Sequence, residues 1–184
     1  GVPVDEFILK NKNVQIENRL RLAKEFVKFN ERSFARLLGD MRAYNFVIEI
    51  TQDFDNIQYR LRAMDFDQQS YEGRMNLYKP QFYKDNLDLV NLVQELMTSE
   101  VAMQYQKMER IAMKKRFLSS KQRTRSLLRH MMKDTLSTPE NLAILKEYLA
   151  RYHSDAGMLK ATSMGQLLNL HLEKMLSVNI LSRS

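Results

Sequence analysis

The residues best placed to do chemistry in this 184-residue chain are its bases. Ten lysines and arginines fall between Lys107 and Lys133, and Glu109 is the only acid among them, so the stretch carries +9. The whole chain carries +7, which leaves −2 for everything else. The basic character is therefore local, and a local patch is what an anionic partner reads. Lys114, Lys115, Arg116, Lys121, Arg123, Arg125 and Arg129 form the candidate partner-binding set. An acidic protein face, a nucleic-acid backbone and an anionic lipid surface all carry the matching charge. Phe117 is the one Phe, Tyr or Trp in the stretch, so base stacking is not expected. No short helix–turn–helix signature accompanies it. The competing expectation is a solvated helix face with acids of the N-terminal block nearby.

The other reactive types do not assemble into a site. His130, His153 and His171 are the only histidines. Along one straight helix His153 and His171 would share a face yet sit ~27 Å apart at 1.5 Å per residue, too far to hold one metal. Asp53-Phe54-Asp55 and Asp65-Phe66-Asp67 lack the glycine and distal glutamate of a calcium loop. There is no glycine-rich phosphate loop, no nucleophile elbow and no Glu-x-x-His pair of the di-iron kind. The absence of cysteine excludes disulfides, thiolate zinc and iron–sulfur sites. No catalytic residue, cofactor or metal is assigned, and a non-enzyme is expected. Nine of the twelve methionines lie at or after Met97 and are expected to fill core positions.

The elements that would carry these residues read as helices. Glycine and proline together number eight, so turns should be few and elements long. Leu20, Val27, Phe34, Met41 and Ile48 recur every seventh residue. Leu9, Ile16, Ala23, Leu37 and Tyr44 form the companion series, and together they predict a long amphipathic helix. The stripe slips phase near 48–52 and resumes at Ile50, Phe54, Ile57, Leu61 and Met64, so a break is expected at Gly39-Asp40 or in the 50s. The first helical block is thus 5–64, followed by an irregular middle, 65–83, with short helices inside it. A second block, 84–133, is weakest at Ser119-Ser120. A third, 138–181, opens with Thr138 as cap and Pro139 at the first helical position. Gly157 and Gly165 either end that helix or admit a close neighbour, and the stripe Leu168, Leu172, Met175 favours continuation. Beyond Ser177 the tail is expected to fray. The expected fold is all-α: a single domain, 1–184, built as an elongated bundle of three or more long amphipathic helices.

Two segments resemble a known family. Gly1-Val2-Pro3-Val4-Asp5 is similar to the short start that follows signal cleavage in minor pilus-tip subunits of bacterial type IV secretion and conjugation systems, of the VirB and Trb types. Thr162-Ser163-Met164-Gly165-Gln166-Leu167-Leu168-Asn169-Leu170-His171-Leu172 resembles their closing helix. The resemblance implies an exported three-helix bundle with a small appendage, placed in the periplasm or at the cell surface, assisting assembly or contacting a recipient cell without catalysis. A start at Gly and not Met is read as processing or excision.

The expected function is protein–protein contact, with secretion or pilus components or with further copies of the chain. The alternative is a cytoplasmic nucleic-acid-binding protein using the 107–133 segment on phosphates. No apolar run approaches the roughly 18–20 residues that span a bilayer.

Overall fold

A computed structural model of the chain describes residues 2–3, 6–7, 16–39, 41–64, 75–133 and 138–181. It is mostly helical, with six α-helices among these residues: α1 (Ile16–Arg36), α2 (Leu87–Leu96), α3 (Ser99–Ser119), α4 (Lys121–Met131), α5 (Pro139–His153) and α6 (Met164–Leu176). It is not all-α. Strands β2 (Phe46–Asp53) and β3 (Asn56–Ala63) form an antiparallel hairpin, and the two-residue β1 (Val2–Pro3) pairs with β2.

The hairpin lies in the last third of the expected first helical block, and the sequence contains the reason. Phe-Val-Ile-Glu-Ile-Thr is rich in β-branched residues, and Ile57, Tyr59, Leu61 and Ala63 alternate with polar ones, the period-2 signature of a half-buried strand. The seven-residue series ran through it by coincidence, because Ile48 falls seven residues after Met41 although a loop separates them. Ile48 stands opposite Leu61 in the ladder, and Phe46, Ile48 and Leu61 are all buried. From Ile50 outward the hairpin leaves the core, and its two-residue turn, Phe54-Asp55, is exposed.

α1 is the central element. From Leu22 to Ala35 only Lys24 and Lys28 escape full burial, because α2, α3, α6 and β3 all pack against this helix. The apolar stripe therefore understated it: Glu25, Asn30, Glu31, Arg32 and Ser33 are buried as well. Burying these polar groups requires partners. Arg32 pairs with Glu25, donates to the Leu61 carbonyl at 3.0 Å and faces Glu109 at 3.5 Å. The Leu61 N–H in turn donates to Glu25 at 3.0 Å. These bonds occupy the outward backbone groups of Leu61 on edge strand β3, which would otherwise be open to another strand. Asn30 receives the Gln81 N–H and Asn86 donates to Met41 and Pro80 carbonyls, all at 2.8 Å, which ties the connection before α2 to the end of α1.

Long helices were expected because glycines are few, yet the helices run from 10 to 21 residues. Three of them end in a left-handed residue that is not glycine: Leu37 (φ 49°), Ser154 (φ 51°) and Ser177 (φ 50°). In each case the following N–H reaches back to the carbonyl five residues earlier: Leu38 to Ser33, Asp155 to Ala150, Val178 to Glu173. This is the Schellman cap, usually marked by glycine. The expected continuous third block is thus split at Ser154, with a 3₁₀ turn at Ala156–Lys160 before Ser163 caps α6. The second block is split twice, once before Thr98 and once at Ser119-Ser120, where both hydroxyls donate to the Arg116 carbonyl. Thr138 caps α5 with Pro139 at its first turn, as its sequence indicates. Short 3₁₀ helices occur at Met75–Tyr78 and Pro80–Phe82, while 65–74 lie outside the described residues.

Two apolar cores result. One joins Leu22, Phe26 and Phe29 of α1 to the hairpin and Leu89; the other gathers Phe34, Leu37, Phe117, Leu145 and Leu149 around α6. The tail does not fray at Ser177. Ile180 is fully buried in the second core, and its N–H donates to Glu173 at 2.7 Å.

Candidate functional site

The basic segment spans α3 and α4, and the fold sorts its charges into two groups. Glu109, Met113 and Phe117 recur every fourth residue and form the buried face of α3, continued by Leu128 on α4. Arg116 donates to Glu109 at 2.6 Å, and Arg110 donates to Glu31 on α1 at 2.9 Å. Lys114 donates to the Ser177 carbonyl at 3.4 Å and Arg125 to the Ile180 carbonyl at 2.6 Å, so both fasten the C-terminal tail. Of the candidate set, Lys114, Arg116 and Arg125 thus have internal partners. Lys115, Lys121, Arg123 and Arg129 make no ion pair among the described residues, and the same holds for Lys107 and Lys133 outside it. All of these but Lys121 are exposed.

The one acid of the segment, Glu109, is 5% exposed and spent on Arg32 and Arg116. From Lys107 to Lys133 the outer face is left without a carboxylate; exposed Glu100 lies on the same side at the start of α3. Apolar side chains share that face: Met108, Ile111 and Leu118 on α3 and Leu127 on α4 are each more than half exposed. On a helical wheel at 100° per residue, Ile111 and Leu118 fall between Lys107 and Lys115, so bases flank a greasy centre. Periodicity alone could not find this face, because α3 has apolar residues on both sides. At the end of α4 the bases line an open groove of about 640 Å3 together with His130 and Met132.

A second cluster was invisible to the sequence. The turn after α5 folds α6 back, and His153 Nε2 comes to 2.8 Å from His171 Nδ1. His171 Nε2 lies 2.8 Å from the Phe34 carbonyl. A carbonyl only accepts, so His171 Nε2 carries its proton, its Nδ1 accepts, and His153 Nε2 donates. The ~27 Å expected for a straight helix is removed by the cap at Ser154. Phe34 packs edge-on against His171 (4.6 Å) and Tyr152 (4.9 Å), and Lys79 Nζ sits over the Phe34 and Tyr152 rings. Arg110 reaches the Tyr152 hydroxyl at 3.4 Å.

Burial, then the charges of Lys174 and Arg110, push the His153 imidazole down to about 4. Burial and the neighbouring His153 push His171 to about 3. Both rings are neutral at pH 7, and the hydrogen-bond chain ends on a backbone carbonyl. That chemistry pins α6 to α1 and α5. Among the described residues no three of His, Asp and Glu converge in a way that could hold a metal ion, and no helix is long and apolar enough to cross a membrane.

No family model, curated protein or solved structure matches this chain.

Proposed function

We propose that this chain is a non-catalytic protein–protein interaction component that receives an acidic partner on the outer face of α3 and α4. The observation that carries the reading is the interleaving of half-exposed Met108, Ile111, Leu118 and Leu127 with the exposed bases Lys107, Lys115 and Arg123. A phosphate backbone draws its affinity from the bases and leaves the aliphatic side chains wet. A protein partner uses both, the apolar centre for affinity and the charged rim for orientation and encounter rate.

Titration with an acidic peptide containing aromatic residues, and in parallel with single-stranded RNA and duplex DNA at rising salt, tests this. The peptide should bind, and Ile111→Ser with Leu118→Ser should weaken it about as much as Lys115→Glu with Arg123→Glu. Tight nucleic-acid binding with a steep salt slope, untouched by the apolar substitutions, would reverse the assignment. That second reading is favoured by one observation, the burial of Glu109, which leaves the face without an acid from Lys107 onward.

The narrower form of the proposal, a minor pilus or assembly subunit of a type IV secretion system, is supported by the resemblance of residues 1–5 and 162–172 alone. The hairpin and the short helices are not what that resemblance implies. A cleavable export signal ahead of Gly1 in the gene would support the periplasm or cell surface; a start codon immediately upstream would favour the cytoplasm.

A further inference from the structure

The turn between β2 and β3 carries an aromatic side chain that contributes nothing to the fold. Phe54 is 93% exposed, and its backbone sits at φ 49°, the left-handed region that favours glycine. The two-residue turn itself calls for a left-handed first residue, so the backbone serves the hairpin, whereas the exposed ring serves no contact within the chain. Asp53 and Asp55 flank the ring and are exposed, and Ile50 is half exposed further down the same strand. The tip is therefore a knob: one aromatic between two carboxylates, on a hairpin that has already left the core.

The complementary surface lies on another element of the same chain. Arg125 and Arg129 lie one step of about 6 Å apart along α4, and Lys133 follows in the turn just beyond its end. With His130 and Met132 they line the open groove of about 640 Å3. Arg129 and Lys133 are exposed and make no ion pair among the described residues. A guanidinium plane and a thioether are favourable surfaces for an aromatic ring, and the cationic rim matches two carboxylates.

We propose that the hairpin tip of a second copy of this chain docks in the α4 groove, with Phe54 as the anchor and Asp53 and Asp55 paired to Arg129 and Lys133. The groove lies on the other side of α4 from Arg123 and Leu127, so this inference goes beyond the α3–α4 face proposed above and names its own occupant. Knob and groove are different surfaces, so the contact is heterologous: each copy offers a tip to one neighbour and a groove to the next. Such contacts propagate into a ring or an open chain.

Sedimentation velocity of the full chain across the micromolar to millimolar range tests this. Wild-type protein should self-associate, more weakly as salt rises. Phe54→Ser alone, and Arg129→Glu with Lys133→Glu, should each weaken association roughly tenfold or more, as expected for an anchor and its pocket. Both sets of changes are on exposed side chains, so thermal unfolding should stay unchanged and exclude a folding artefact. Mixing the tip variant with the groove variant should restore one interface and only one, giving a 1:1 dimer that grows no further. A wild type that stays monomeric throughout, or variants that fail to pair on mixing, would overturn the inference. In that event, continued binding of the acidic aromatic peptide would leave the docking face standing, and loss of that binding too would remove both.

Discussion

His153 and His171, eighteen residues apart in the chain, meet through a 2.8 Å hydrogen bond that ends on the Phe34 carbonyl. The unfolded chain binds protons on these rings near the ordinary histidine value of 6.5, whereas the folded chain resists until about 4 and about 3. Between those limits the unfolded state holds more protons, so stability is full above pH 6.5 and falls as pH drops toward 4. Urea unfolding at a series of pH values should show this decline. The double variant His153→Gln with His171→Gln should flatten it in that window.

Glu109 is held in the interior by Arg32 and Arg116. Replacing it with Ala leaves the Arg32 side chain, 7% exposed, short of one of its two carboxylates. The loss should be about 1–3 kcal/mol, below the full cost of orphaning a buried charge because Glu25 still pairs with Arg32. Arg151→Ala, whose partner Glu147 is as exposed as itself, should change stability by less than about 0.5 kcal/mol. Equilibrium denaturation of both variants checks the contrast.

Gly165 sits where α6 meets the end of α4. A Cβ there would lie 2.3 Å from the Met131 carbonyl oxygen, and backbone cannot step aside as a side chain can. Gly165→Ala should therefore destabilise near the upper end of the roughly 1–3 kcal/mol typical of overpacking. Gly157→Ala meets only the flexible Asp155 carboxylate at 2.9 Å and should cost far less. Thermal melts of the two variants give the comparison directly.

Leu37 and Phe54 share a left-handed backbone, both at φ 49°, but not an environment. Leu37 is fully buried; Phe54 is 93% exposed. Glycine at either position relieves about 1 kcal/mol of strain. At Leu37 that gain is outweighed by the roughly 2–5 kcal/mol lost on emptying a leucine site, so Leu37→Gly should destabilise. Phe54→Gly gives up no buried surface and should stabilise the chain slightly. The two melting temperatures should move in opposite directions.

Much of the helical character was legible in the residues themselves. Thr138-Pro139 marked the start of α5, the paired serines at 119–120 marked the break between α3 and α4, and Gly39 lay just beyond the end of α1. These are local signals, carried by caps, hydroxyls and φ preferences within a few residues. The hairpin was legible too, in the alternation of Ile57, Tyr59, Leu61 and Ala63, but a seven-residue stripe that crossed a loop concealed it.

The chain's own order of residues determined where charge concentrates and which segments can be helical, because both depend on neighbours in sequence. Tertiary structure alone decided which charges face water. Arg110 and Arg125 carry the same formal charge as their exposed neighbours, yet packing against α1 and the C-terminal tail half-buries them, and Glu109 is buried outright, where a charge persists only with a partner. The same packing brings His153 to His171, since a left-handed serine reverses the chain between them and burial then keeps both imidazoles neutral.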